Sequence, residues 1–204
     1  MDWGTINYLI EKASAILGLA LMIFGLIGGI RSFYIWLTRP KIDLFFNESR
    51  TFDRRKNWTN NQPCGSGIWV HVFARGKCRI RKEVITGCQA YLRKAWSVGP
   101  GDVRGQIPDF NAKLQLQWAN SEGRLQTEIF PSEEARIDLF MIPDGPSALY
   151  VVSGTGLPTG STKRFEQGVY IFEIACTANN AKRGEILLKV AYGGGFVQPK
   201  ITVL

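Results

Sequence analysis

The sequence predicts an all-β domain, built as an antiparallel β-sandwich and tethered to one N-terminal transmembrane helix. Three observations predict it. Ala13–Ile30, ASAILGLALMIFGLIGGI, holds no charge and nothing more polar than one serine. From Ile42 onward the apolar residues recur with period two, the spacing of a strand with one buried face. Segments rich in Gly, Pro, Ser, Asn and Asp separate these runs, and no run shows the 3.6-residue stripe of an amphipathic helix.

The apolar stretch comes first. A helix rises 1.5 Å per residue, so Ala13–Ile30 covers about 27 Å, close to a hydrocarbon core of about 30 Å. A soluble core helix of this length would carry a polar face. A cleaved signal peptide wants a basic start and a small-residue cleavage site, whereas this chain opens MDWGTINYLIEK and runs Gly28-Gly29-Ile30-Arg31 past the apolar core. A retained single-pass anchor over residues 1–41 is the expectation. Phe33, Tyr34 and Trp36 are placed for the membrane interface, and Pro40 marks the helix end.

Arg31, Arg39 and Lys41 follow the span and only Lys12 precedes it. Positive charge prefers the cytoplasmic side, so the domain formed by residues 42–204 is expected in the cytoplasm; export of the domain is the competing topology. The formal net charge of +8 favours contact with anionic headgroups of the bilayer. Cys64, Cys78, Cys88 and Cys176 form no C-x-x-C, and His71 is the only histidine, so no metal site is expected. Buried free thiols fit a reducing compartment, and disulfides fit the exported alternative.

Along the domain, Ile42–Phe46 is the first expected strand and Asn57–Ser66 an expected loop. Strands follow at Ile68–Arg75, around Cys88–Arg93, and at Lys113–Trp118, where Leu114, Leu116 and Trp118 face inward. Ala135–Ile142, Ala148–Val152, Val169–Cys176, Glu185–Tyr192 and Ile201–Leu204 complete the set. Eight or more short strands with frequent turns point to the sandwich, with a small barrel as the alternative.

The order Trp69–Phe73, Cys88–Leu92, Leu114–Trp118, Pro131–Glu134 leading into Ile137–Phe140, then Gly168–Ile174 resembles the immunoglobulin-like sandwiches of prokaryotic membrane-anchored proteins. More distantly it is similar to fibronectin-type and adhesion-related modules. The likeness covers roughly residues 68–204 and implies a packing arrangement, with no catalytic residues to carry over. Tyr170, just after Gly168, looks like the strand-start tyrosine of such domains, whose hydroxyl ties down a neighbouring turn.

Few constellations suggest chemistry. His71 shares an expected strand face with Trp69 and Phe73, the setting of a structural histidine. No G-x-S-x-G elbow occurs. Gly154–Lys163, GTGLPTGSTK, fails as a phosphate loop because its lysine follows the hydroxyl residues and a strand comes next. No enzyme activity and no cofactor are expected. Arg75, Lys77, Arg79 and Arg81, with Lys82, form the densest basic run; it is either a solvated strand edge or a face for an anionic surface or ligand. Its lack of interleaved aromatics argues against nucleic acid. In the helix, Ser14, Gly18, Gly25 and Gly29 lie at intervals of four, seven and four, a stripe suited to close helix–helix contact. The expected function is a membrane-anchored binding or scaffolding module that engages another protein or self-associates through its helix. The alternative is a signalling effector whose basic β-domain binds a small anionic ligand and drives helix oligomerisation.

Overall fold

The computed structural model describes residues 3–59, 62–77, 82–107, 114–119, 125–145, 147–153 and 164–204. It separates into two units, Met1–Arg39 and Pro40–Leu204.

The first unit is helix α1, Trp3–Thr38. It continues past Ile30 without a break, because Ser32–Leu37 adds apolar and aromatic residues rather than a turn. Its part from Ile16 to Thr38 is long and apolar enough to cross a membrane. The helix stops two residues before Pro40, as X-Pro sterics require. Thr38 Oγ1 donates to the Tyr34 carbonyl at 2.8 Å and closes the last turn.

The second unit is all-β. Its strands are β1 (Lys41–Phe45), β2 (Phe52–Thr59), β3 (Gln62–Lys77), β4 (Ile85–Val98), β5 (Arg104–Gln106), β6 (Leu114–Trp118), β7 (Thr127–Ile129), β8 (Glu134–Pro143), β9 (Leu149–Val151), β10 (Arg164–Phe165), β11 (Gly168–Thr177), β12 (Gly184–Tyr192) and β13 (Lys200–Val203). All named strand pairs are antiparallel, and the main path runs β1-β3-β8-β6-β4-β11-β12-β13. The sheet curls into a half-barrel. β6 carries the path around the curl: Leu114–Leu116 pair with β4, while Gln117 and Trp118 pair with β8.

Of the expected inward set, Leu116 and Trp118 are buried and Leu114 is partly buried, beside Val70, Val72, Leu92, Ile137, Phe140, Phe172 and Ile174. The expected loop Asn57–Ser66 is a correction. β2 and β3 stay paired to Thr59 opposite Gln62, with a bulge between Lys56 and Trp58, so most of that segment is hairpin ladder.

Two further bulges set side-chain directions. Val70 pairs with Phe140 but His71 pairs with Asp138, which leaves Leu139 as the extra residue. Glu173 pairs with Lys94 but Ile174 pairs with Leu92, which leaves Arg93 as the extra residue. Each bulge shifts the alternation by one residue and re-aims the side chains around it.

Candidate functional site

The curl leaves a seam where β1 approaches β12. Ile42 N–H donates to the Lys182 carbonyl at 3.0 Å, and Lys182 N–H donates to the Pro40 carbonyl at 2.7 Å. Gly184 makes this approach possible: a Cβ there would lie 2.5 Å from the Ile42 carbonyl oxygen. Beyond the isolated bridge between Lys41 and Lys182, β1 and β12 are not paired with each other among the described residues. Successive strand residues present their backbone groups to alternate edges, so Leu44 offers its N–H and C=O on the same side as Ile42. On the far side, β13 pairs only with Leu188–Ala191 of β12, and Leu204 N–H reaches the Leu187 carbonyl at 3.0 Å. The first residues of β12 therefore have no β13 partner.

The gap holds a shallow cavity of about 500 Å³ lined by Leu44, Phe46, Ile186, Val203 and Leu204 among others, with Glu173 and Glu185. Val203 and Leu204 are 49% and 52% exposed. The carboxylates are already balanced. Arg93, aimed by its bulge, reaches Glu173 at 2.5 Å and Glu185 at 3.3 Å, and Arg183 contacts both.

The basic run does not converge on this cavity. Register sets Asp43 of β1 opposite Arg75 of β3, and Arg75 Nε and Lys77 Nζ each lie 3.1 Å from Asp43 Oδ2. Burial pushes the Asp43 carboxyl up, but hydrogen bonds and charge from Lys77 and Arg75 outweigh it and hold the group below its ordinary value. Arg75 also lies over the Phe45 ring at 4.7 Å. Lys82 is exposed, and Arg79 and Arg81 lie outside the described residues. Two members of the expected docking face are thus occupied within the domain. Gly154–Lys163 falls outside the described residues as well.

In α1, Ser14, Gly18, Gly25 and Gly29 fall within an arc of about 60° on a helix of 3.6 residues per turn. All four are exposed, and a Cβ added at any of the three glycines would meet nothing within 4 Å.

No known protein family, curated protein or solved structure matches this chain. Its chemistry is read from its own geometry.

One polar pair was hidden from the sequence. His71 Nδ1 lies 2.7 Å from Asp138 Oδ1, with the two side chains 0% and 4% exposed. Arg55 Nη2 stands 3.5 Å from the other ring nitrogen, and Arg55 Nε donates to Asp53 at 2.7 Å. The residue types are those of an acid–base pair, but both are sealed from solvent, and what they join is β3 to β8. The signal that could have found Asp138 is a lone carboxylate inside the apolar run ARIDLFMI. Its partner depends on the bulge at Leu139, which alternation does not announce. Among the described residues, no group of three His, Cys, Asp or Glu side chains is placed to hold a metal.

Proposed function

We propose that this chain is a membrane-anchored binding module whose β-domain takes an extended polypeptide segment at the seam beside β1. The observation that carries this reading is the open edge itself: β1 is not paired with β12 beyond its first residues, next to a cavity bordered by exposed Val203 and Leu204. Strand edges of this kind bind through main-chain hydrogen bonds, while pockets for alternate side chains supply selectivity. A small anionic ligand would instead need converging basic groups, and Arg75 and Lys77 are engaged by Asp43.

The membrane tether in this reading is α1, and Arg31, Arg39 and Lys41 after the apolar stretch favour a cytoplasmic domain. Kinship with immunoglobulin-like domains is part of the same proposal. It is supported by Tyr170, whose hydroxyl donates to the Glu166 carbonyl at 3.0 Å, the turn-tying role such a tyrosine plays in those domains.

The test is photo-crosslinking of the full chain in membranes, with p-benzoylphenylalanine in place of Val203 and, as a control, of exposed Phe130. Polypeptide adducts at position 203 and not at 130 are expected. Lipid adducts alone, or equal protein adducts at both positions, would remove the seam as the binding site.

A further inference from the structure

Lysine stands opposite lysine where the chain enters the β-domain. Register sets Lys41, the first residue of β1, against Lys77, the last of β3. An isolated bridge sets the same Lys41 against Lys182, between β11 and β12. Bridged residues lie on backbones about 5 Å apart, and all three lysines are exposed. Like charges directly opposite each other destabilise a sheet. The carboxylates of the same strands are already shared out. Asp43 is contacted by both Arg75 and Lys77, so it offsets one charge of the two, and Glu185 is contacted by Arg93 and Arg183. Three lysines gathered at one point carry an electrostatic cost that a negative surface outside the domain would relieve.

We propose, on the reading of α1 as the membrane tether, that Lys41, Lys77 and Lys182 form a contact surface for the anionic phospholipid headgroups of the bilayer. α1 ends at Thr38. Pro40 is already fixed to the domain, because its carbonyl accepts from Lys182 N–H at 2.7 Å. Arg39 is the one residue between them. Consecutive Cα atoms are about 3.8 Å apart, so Lys41 lies within about 11 Å of Thr38. Thr38 is also the last residue of the segment long and apolar enough to cross a membrane. Covalent reach therefore brings Lys41 to headgroup level, and pairing carries Lys77 and Lys182 with it.

A bilayer presents its phosphates in a plane, so adjacent strand ends meet it without an enclosing pocket. Negative surface potential attracts each basic group beside a membrane segment, and the attraction falls off within a Debye length. The same field relieves the repulsion between the lysines. Contact with lipid and the bridge that holds Lys41 to Lys182 therefore favour each other. Lys56 and Lys200 supply the contrast. Both are exposed, but Lys56 pairs with Ser66 and Lys200 with Ala191, at the opposite ends of β3 and β12.

The experiment places the full chain in nanodiscs of phosphatidylcholine alone or mixed with phosphatidylserine. Brief treatment with a water-soluble acetylating reagent is followed by peptide mass spectrometry. Acetylation of Lys41, Lys77 and Lys182 should slow several-fold in the discs with phosphatidylserine and recover in high salt. Lys56 and Lys200 should react alike in both. Protection of Lys41 alone would overturn the proposal, because a domain merely tethered at its first residue gives that result. Equal rates in the two kinds of disc would overturn it too. Alkaline carbonate extraction of the chain from native membranes separates this failure from failure of the tether. Chain that stays in the membrane with unprotected lysines loses the contact surface and keeps the anchor. Chain that is extracted loses the anchor, and the contact surface with it.

Discussion

The wall formed by β3, β8 and β6 and the seam between β1 and β12 are made of the same kinds of residue but end differently. In the wall every side chain from Val70 to Ala74 is buried, and even His71 and Asp138 are shut in. At the seam, β1 buries Ile42 and Leu44, but Phe46 is only partly covered, and Val203 and Leu204 face solvent across the gap. Composition does not separate the two regions. The difference is whether a strand has a hydrogen-bonded neighbour on both edges. β3 lies between β1 and β2 on one edge and β8 on the other, whereas β1 is held on its outer edge only at its start. Burial in this sheet follows backbone pairing, and an edge without a neighbour is where apolar surface remains for use.

The largest expected effect is in the wall. Trp118→Ala removes one of the bulkiest fully buried side chains and should cost about 3–5 kcal/mol. Urea unfolding of the full chain in detergent, followed by circular dichroism, measures it. A midpoint within error of the parent would mean that the wall is not the stable half of the comparison.

A smaller loss is expected from Asp138→Ala, which leaves a buried imidazole without the carboxylate that lies 2.7 Å from its Nδ1, at about 1–3 kcal/mol. Asp138→Asn keeps an acceptor of the same shape and should recover most of that loss. Equal destabilisation by both would show that His71 needs the carboxylate charge and not merely a polar neighbour.

At the seam, Gly184→Ala places a Cβ against the Ile42 carbonyl at a distance no relaxed contact has. Separating β1 from β12 there should cost about 1–3 kcal/mol, with amide exchange at Ile42 rising before the wall is affected. Gly193→Ala, where a Cβ meets nothing within 4 Å, serves as the control. Uniform loss of protection across the domain would instead make the seam part of one cooperative unit with the wall.

Much of this fold was legible. Alternation located the cores of β1, β3, β4, β6, β8, β9, β11, β12 and β13, because a half-buried strand writes its pleat into the sequence. β2 was not, since FDRRKNWT has no apolar period and is recruited by its ladder with β3. The short strands β5, β7 and β10 have two or three residues each, too few to show a period at all. The bulges at Leu139 and Arg93 were equally silent, because one inserted residue is defined only against a partner strand. That explains why His71 with Asp138, and Arg93 with Glu173 and Glu185, were invisible while each residue stood in plain view. The sequence of the basic run shows only like charges, and Asp43, which ties down Arg75 and Lys77, lies more than thirty residues away.

The smallest effect tests the charge on the seam strand itself. Asp43 faces Arg75 and Lys77, which are 45% and 60% exposed, so solvent screens the cluster and its worth is below about 1 kcal/mol. Its folded value lies below the ordinary 3.8. The contribution is therefore complete above that ordinary value and is lost as pH falls through the lower folded one. Asp43→Asn should lower the urea midpoint slightly at pH 7, and the gap between variant and parent should close as the pH is taken toward 2. Added salt should shrink the gap at pH 7. A gap that stays constant with pH would mean that Asp43 acts through its shape and backbone register and not through its charge on Arg75 and Lys77.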